Sequence, residues 1–280
     1  MRKFAKITLI TSVCAIVVGG VLCVTSFATG GIKNVTFDKG VDVYDNSKYN
    51  IDKKELEAFD SFDINADAVN VEFVEGDSYA FEYHGNSKPT YSVSNGKLNF
   101  NIEKEKKGVK IHIGEFISRG LKNNRLIIYT PDSAKFKDGK VEADAGNITL
   151  NSLIADKITL EADAGNINVN ESEISECEIS ADAGNIKADG SSLRKLTVET
   201  SAGNVKLTDI STDDADIMSD MGNIKAEING SRNEYDLNID NDMGNVKVDG
   251  KKVHELEEKT GKDKKLSIEN NMGYININFN

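Results

Sequence analysis

The sequence contains no tryptophan and only three cysteines, and its charge is strongly unbalanced towards acids. Of its 280 residues, 34 are basic and 46 are acidic, which gives a formal net charge of −12. Such a surface repels nucleic acid and anionic lipid headgroups, so neither is an expected partner. The hydrophobic fraction of 39% is too high for a disordered chain, and the length suffices for a large buried core.

The three cysteines do not provide a disulfide framework or a zinc site. Cys14 and Cys23 lie in one hydrophobic run, whereas Cys177 is isolated in the second half of the chain. Their spacing matches no known zinc-binding pattern. The stability of the protein must therefore come from its core or from a bound ion.

Catalytic motifs are also missing. His84, His112 and His254 are scattered, and no serine or cysteine has a recognisable base close to it in sequence. There is no phosphate-binding Gly-Lys-Ser/Thr loop and no His-Glu-x-x-His motif. Polysaccharide-cleaving enzymes of the β-helix type line their grooves with aromatic and basic residues, and aromatics are few here. The sequence therefore predicts that the protein is not an enzyme.

A single long hydrophobic run lies near the N-terminus. Residues 7–27 carry no charge, and at about 1.5 Å per residue a helix of this length crosses a hydrocarbon core of roughly 30 Å. Arg2, Lys3 and Lys6 precede it, which predicts a cytoplasmic N-terminus. We therefore expect residues 1–28 to be a cytoplasmic stub and transmembrane signal-anchor. The protein would cross the cell membrane once, with its C-terminal domain outside the cytoplasm.

A cleaved signal peptide is the alternative interpretation of this run. Ser26 and Ala28 provide small residues at the positions that a signal peptidase requires. The run is longer than the usual apolar region of about 7–15 residues, which favours the uncleaved anchor. A lipoprotein is disfavoured because Leu22 precedes Cys23, where a small residue is required. All three alternatives place the rest of the chain outside the cytoplasm.

The first half of the external part divides into two segments. Residues 29–58 are polar and weakly patterned, which indicates a juxtamembrane spacer. Residues 59–131 alternate apolar and polar side chains, as half-buried strands do. Asn95-Gly96 is a strong hairpin signal, and Pro131 ends the last of these strands. We expect this segment to be an antiparallel β lead-in.

A glycine recurs at a nearly fixed interval in the second half of the chain. The first four intervals are equal, at ~19 residues each, and the last two are wider. The glycines are Gly146, Gly165, Gly184, Gly203, Gly222, Gly244 and Gly273. A fixed period of this length signals stacked coils, because one coil cannot bury its apolar face alone.

Apolar residues keep register with these glycines. They stand two and four places after each glycine, and also twelve and fourteen places after Gly146, Gly165, Gly184 and Gly203. Leu153, Ile174, Leu193 and Ile210 add one further inward residue per coil. The spacing of two and the β-branched residues exclude helix. Residues 132–280 are thus predicted to be a parallel β-solenoid with rungs of ~19 residues and two short strands each. The whole is an all-β protein with one N-terminal transmembrane helix.

The irregular spacings predict excursions from the stack. Lys251–Lys265 is highly charged, and we expect a helical turn or a charged loop there. The last coil, Tyr274–Asn280, is truncated, and we expect it to cap the end of the stack.

An acidic column precedes the glycines by two places. Its members are Asp144, Asp163, Asp182, Asp220 and Asp242. Carboxylates on rungs roughly 4.8 Å apart repel each other unless a cation bridges them or water screens them, and Ca²⁺ suits such oxygen ligands. The alternative is structural, because aspartate before a tight turn hydrogen-bonds the local backbone. No cofactor other than this Ca²⁺ candidate is expected.

An asparagine column follows the glycines directly. Its members are Asn147, Asn166, Asn185, Asn204, Asn223 and Asn245. Asparagine tolerates a left-handed backbone, and its amide can donate and accept along a stack. We therefore expect a structural ladder of turns rather than a ligand site.

The layout resembles the putative-adhesin family of β-strand-repeat envelope proteins, a domain of unknown function. The resemblance covers Phe59–Asn280 and rests on the Ala-Gly-Asn words followed by alternating Ile and Val, on Asn95-Gly96-Lys97-Leu98, and on Leu126–Pro131. The family is common in Gram-positive bacteria and includes LiaG-like proteins of envelope-stress operons. The resemblance implies a surface-exposed fold and supplies no catalytic residues.

Three functions follow as hypotheses. The first is a non-enzymatic surface scaffold for cell-envelope binding or adhesion, whose partner is wall polymer or an envelope protein. The alternative is an accessory regulator of an envelope-stress response, which reports through the single helix. The third is a glycan-active β-helix enzyme. A fold of this kind does not by itself decide among them.

Overall fold

The computed structural model describes residues 34–37, 41–44, 49–102, 109–111, 124–253, 256–259 and 261–280. The predicted anchor at residues 7–27 lies outside these ranges. Within the described ranges, no helix is both long and apolar enough to cross a bilayer.

The chain divides into two compact units. The first contains residues 1–46 and 106–120, and its described part is a small antiparallel sheet of β1 (Asn34–Phe37), β2 (Val41–Tyr44) and β9 (Val109–Ile111). The second contains residues 47–105 and 121–280 and holds two large sheets. The segment predicted as a spacer, residues 29–58, therefore contains strands, because short alternating runs such as Asn34–Phe37 suffice to pair.

The first large sheet contains one short strand from each coil, and we call it the short-strand sheet. In spatial order it runs β23 (Lys251–Val253), β22 (Val246–Val248), β26 (Ile275–Phe279), β20 (Ile224–Ile228), β18 (Val205–Ile210), β16 (Ile186–Asp189), β14 (Ile167–Asn170), β12 (Ile148–Asn151), β5 (Asn70–Glu75), β10 (Arg125–Thr130), β6 (Ala80–Gly85) and β3 (Tyr49–Glu55).

The second large sheet contains the longer strand of each coil, and we call it the long-strand sheet. In spatial order it runs β24 (Leu256–Glu258), β21 (Tyr235–Met243), β25 (Lys264–Met272), β19 (Asp214–Met221), β17 (Ser192–Ala202), β15 (Glu173–Ala183), β13 (Ile154–Ala164), β11 (Lys135–Ala145), β4 (Ser61–Ala66), β8 (Lys97–Ile102) and β7 (Thr90–Ser94). A 3-10 turn at Arg232–Glu234 precedes β21.

Each coil of the repeat crosses from one sheet to the other at the Gly-Asn corner. Strands of neighbouring coils pair in parallel, and each residue faces its equivalent in the next repeat, as Ile158 faces Cys177. The inward residues of both strands are buried, and Leu153, Ile174, Leu193 and Ile210 are at most 2% exposed. The parallel stack predicted from the glycine period is thus confirmed.

The prediction that residues 59–131 form an antiparallel lead-in is only partly correct. Strands β4, β5, β8 and β10 are parallel members of the stack, whereas β3, β6 and β7 are antiparallel at its end. The hairpin at Asn95-Gly96 joins β7 to β8 as expected. Period-two alternation is the same in parallel and antiparallel strands, so the pattern could not distinguish them.

The C-terminal coil does not cap the stack, contrary to the expectation. Strands β25 and β26 lie between the β19/β20 coil and the β21/β22 coil. The outermost strands are β23 and β24, which come from Lys251–Lys265 and pair antiparallel with β22 and β21. That segment is therefore neither a helical turn nor a plain loop. The two wider glycine intervals give the chain enough length to build the β21/β22 coil one position further out and then return to fill the position between it and the β19/β20 coil.

Candidate functional site

The glycine at each corner is required by close backbone approach. A Cβ atom at Gly165 would lie 1.9 Å from the carbonyl oxygen of Gly146, and one at Gly184 would lie 1.8 Å from that of Gly165. No side chain fits at such distances. At the other corner the positive-φ residues include Ser152, Glu171, Gly190 and Asp209; at the Gly-Asn corner only the last three glycines, Gly222, Gly244 and Gly273, have positive φ.

The asparagine column forms a hydrogen-bonded ladder. The backbone N–H and the Nδ2 of Asn166 both donate to Oδ1 of Asn147, at 2.9 and 3.0 Å. The same pair of bonds joins Asn185 to Asn166, Asn204 to Asn185, and Asn223 to Asn204. None of these asparagines has a positive φ, so hydrogen bonding, and not left-handed backbone, explains the column.

The ends of the ladder differ from the sequence expectation. It begins one coil earlier, since Asn147 donates to Oδ1 of Asn70. It ends at Tyr274, whose backbone N–H donates to Oδ1 of Asn223 at 3.2 Å. Asn245 lies one coil beyond, and its carbonyl accepts from Ile275 N–H. The Val69-Asn70-Val71 word was the available signal for Asn70, although no glycine precedes it.

The acidic column lies exposed beside this ladder. The inserted C-terminal coil places Asn271 between Asp220 and Asp242, and its Nδ2 donates to Oδ1 of Asp220 at 2.9 Å. Within the described ranges, no three acidic, histidine or cysteine side chains converge as a metal ion would require. The assignment of Ca²⁺ to this column stays a prediction.

The described cysteine and histidine, Cys177 in β15 and His84 in β6, lie in different sheets. Cys177 is fully buried, and burial raises the pKa of its thiol to about 12, so the thiolate is scarce at neutral pH. His84 Nδ1 lies 3.1 Å from Oδ1 of Asn50 on the edge of the short-strand sheet. His112 and His254 lie outside the described residues.

Exposed apolar side chains concentrate at the corner near the C-terminal end of the stack. Met221, Met272 and Met243 lie on successive rungs, and we call them the methionine ridge. They are 56%, 43% and 56% exposed. The ridge continues the row of alanines that precede the earlier glycines, and only the out-of-order coil brings Met272 between the other two.

An open pocket of about 360 Å³ lies next to this ridge. Its lining residues are Asn245, Lys247, Lys252, Tyr274, Ile275 and Asn276. Tyr274 is 54% exposed, and two amides and two ammonium groups surround it. The pocket thus offers an aromatic face, hydrogen-bonding groups and positive charge on one surface.

The two lysines of the pocket end a longer row on the outer face of the short-strand sheet. Lys187 lies between the buried residues Ile186 and Ala188 and so points outward. The row continues in register, and we call it the lysine column: Lys187, Lys206, Lys225, Lys247 and Lys252, with Asn276 between Lys225 and Lys247. Lys187 pairs with Asp189 at 2.9 Å and Lys225 with Glu227 at 2.7 Å. Lys206, Lys247 and Lys252 form no ion pair with any described residue.

The outer face of the long-strand sheet is acidic instead. Its outward acids include Glu142, Glu161, Glu178, Glu199, Asp216, Asp240 and Glu269. One further row changes sign at every rung, and we call it the alternating column: Asp138, Lys157, Glu176, Lys195, Asp214, Lys265 and Asp236. Lys195 and Lys157 hydrogen-bond to Glu176 and lower the pKa of its carboxyl. The net acidity of the sequence therefore conceals two faces of different charge.

Comparison with known proteins identifies the fold. The family described as Toastrack DUF4097 matches residues 59–280. The structure of a putative adhesin from Bacteroides fragilis is 13% identical, with a TM-score of 0.52, and the match covers 83% of this chain and 98% of that one.

Two further solved structures are similar over comparable lengths. A putative cell adhesion protein from Clostridium sporogenes is 17% identical, with 83% and 100% of the two chains covered and a TM-score of 0.38. A putative adhesin from Parabacteroides distasonis is 12% identical, with 82% and 95% covered and a TM-score of 0.44. No curated protein sequence matches the chain.

Proposed function

Since the chain belongs to the Toastrack DUF4097 family, we propose that it is a non-enzymatic, adhesion-type binding scaffold of the cell envelope. Residues 7–27 anchor it in the cell membrane as a single helix, with the stack outside the cytoplasm. Its partner is a cell-envelope polymer, which it binds at the C-terminal end of the stack.

One observation carries this proposal. Three kinds of binding group meet at that end of the stack. They are the pocket around Tyr274, the methionine ridge, and the end of a row with three lysines that form no ion pair with any described residue. Tyrosine and methionine are enriched where proteins bind partners, and concentrated exposed apolar surface is uncommon elsewhere. The similar Bacteroides fragilis structure, described as a putative adhesin, supports the proposal of an external partner.

Binding to isolated envelopes tests the proposal. Full-length protein in nanodiscs of zwitterionic lipid is mixed with purified cell-wall sacculi carrying their attached polymers, and the sedimented fraction is measured. We expect saturable binding that Tyr274→Ala weakens by roughly tenfold, because an exposed aromatic contact is lost. The control is Tyr79→Ala at the opposite end of the stack, where the ring is partly buried against Phe59; its unfolding midpoint is measured to show that it folds, and it should bind as the wild type does. Absence of saturable binding by the wild type would contradict the proposal.

A further inference from the structure

Resting on the proposed function, we propose that the lysine column is the binding site of a linear polyanion whose charges are phosphates. The polymer runs along the stack on the outer face of the short-strand sheet and ends at the Tyr274 pocket. Two independent features support this assignment: a row of like charges in strict register, and a pocket of suitable chemistry at one end of that row.

The geometry of the row suits a repeating ligand. Rungs are about 4.8 Å apart, so the six positions from Lys187 to Lys252 span roughly 24 Å in a nearly straight line. Every position except Asn276 carries an ammonium group, and all point to the same side of the sheet. A linear chain with regularly spaced phosphates can contact several of these groups at once, whereas a single small anion can contact only one or two.

Three of the five ammonium groups in this row, those of Lys206, Lys247 and Lys252, form no ion pair with any described residue, although the same stack balances charge elsewhere. In the alternating column each lysine has a carboxylate on the next rung, and Lys157 and Lys195 both contact Glu176, at 3.4 and 3.1 Å. In the lysine column, Lys247 and Lys252 stand directly opposite each other across an antiparallel pair. Like charges in that arrangement are destabilising, and a bound anion relieves the repulsion.

A narrow polymer fits this face better than a membrane does. The acidic long-strand face lies roughly 10 Å behind the column. A thin ligand over the column is therefore closer to the ammonium groups than to those acids, and attraction between charges falls with distance. A bilayer surface is wide enough to meet Asp189 and Glu227 beside the column as well, and these carboxylates repel anionic lipid.

The pocket supplies contacts to the uncharged part of such a polymer. Tyr274 presents an exposed ring, and the amides of Asn245 and Asn276 can donate to or accept from hydroxyl groups. Wall polymers built from sugar or polyol phosphates carry both kinds of group.

Binding of a defined phosphate polymer tests the site. Full-length protein in zwitterionic nanodiscs is titrated with fluorescent poly(glycerol phosphate) and, separately, with long-chain inorganic polyphosphate. The test variant is Lys206→Gln/Lys247→Gln/Lys252→Gln, and the control is Lys157→Gln/Lys195→Gln/Lys265→Gln, which removes the same charge from the acidic face. We expect affinity to fall roughly 100-fold in the test variant and less than about threefold in the control. The slope of log affinity against log salt concentration should become shallower by about three for the test variant, and should not change for the control.

The outcomes separate this inference from the proposed function. Equal affinity losses in the two triple variants, or no loss in the test variant, would overturn the lysine column as a site. Equally strong, lysine-dependent binding to phosphatidylglycerol vesicles would overturn the assignment to a linear polymer. If sacculi bind the test variant as well as the wild type, the inference fails and the proposed function stands. If the wild type binds poly(glycerol phosphate) but not sacculi, the proposed function fails and the lysine column stands as a polyanion site. Thermal unfolding midpoints check that all variants fold, since the substituted side chains are exposed.

Discussion

At the scale of single residues, the two corners of each coil impose different demands on the backbone. The Gly-Asn corner brings successive backbones so close that a Cβ atom has no room, and this holds at the first four glycines without positive φ. The opposite corner needs a left-handed residue, and Ser152, Glu171, Gly190 and Asp209 all occupy it. Glycine is thus required at one corner and only convenient at the other.

This difference predicts opposite results for two glycine substitutions in the same coil. Gly184→Ala should destabilise the protein by about 3 kcal/mol or more, because its Cβ would meet the Gly165 carbonyl oxygen. Gly190→Asn should cost less than about 1 kcal/mol, since other coils hold non-glycine residues at the same φ. Urea unfolding of both variants measures the difference. Similar costs for the two substitutions would show that close approach does not explain the Gly-Asn corner.

The asparagine ladder gives a second prediction at this scale. Asn185→Ala removes the acceptor of two bonds from Asn204 and the Nδ2 donor to Asn166, so we expect a loss of roughly 1–3 kcal/mol. Asn168→Ala is the control, because its amide makes one bond of 3.5 Å on the outer face. Unfolding free energies in urea compare the two. An equal effect of both variants would argue against a stabilising ladder.

At the scale of the strands, the position of the C-terminal coil is the main departure from the sequence order. Leu266, Ile268, Ile275 and Ile277 of this coil are at most 1% exposed, because coils pack on both sides of it. Burial of these four side chains contributes roughly 6–12 kcal/mol. The C-terminal coil is therefore an interior coil of the stack, and the outermost strands β23 and β24 cover the end of the stack.

Matched leucine substitutions test this order of strands. Leu266→Ala in β25 should cost about 2–5 kcal/mol, as a truncation inside a packed core does. Leu256→Ala in the outermost strand β24 should cost about 1 kcal/mol or less, since its side chain is only half-buried. Chemical denaturation measures both. If the C-terminal coil were the cap of the stack, the Leu256 substitution would be at least as costly as the other.

The alternating column predicts a pH dependence with a defined sign. Hydrogen bonds from Lys195 and Lys157 lower the pKa of Glu176 below its ordinary value of 4.5. A carboxylate with a depressed folded-state pKa contributes stability above its unfolded pKa and loses that contribution as pH falls through the folded value. The stability difference between the wild type and Lys157→Gln/Lys195→Gln should therefore shrink as pH is lowered from 6 to 3. A difference that is constant over this range would contradict the ion-pair account.

At the scale of the whole second unit, charge is separated between two faces. The net charge predicts a surface that repels anions, and the acidic long-strand face agrees with this. The lysine column does not agree with this prediction, because the register of the coils aligns lysines that are far apart in sequence, such as Lys206 and Lys247, in one row. A sum over the sequence could not show this, since it contains no information about which residues share a face.

The sequence alone determined the coil. The constant glycine period, the inward apolar positions and the need for glycine at one corner follow from the alternation of side chains along a strand, which is a local property. Only the tertiary structure decided which coils are neighbours: it placed β4, β5, β8 and β10 in the parallel stack and inserted β25 and β26 before the last full coil. Pairing of identical rungs is nearly equivalent in local energy, so the order is set by long-range packing. Composition shows that the chain lacks tryptophan and has an excess of acids. The candidate binding face, in contrast, exists only because the spatial order of the coils aligns its lysines.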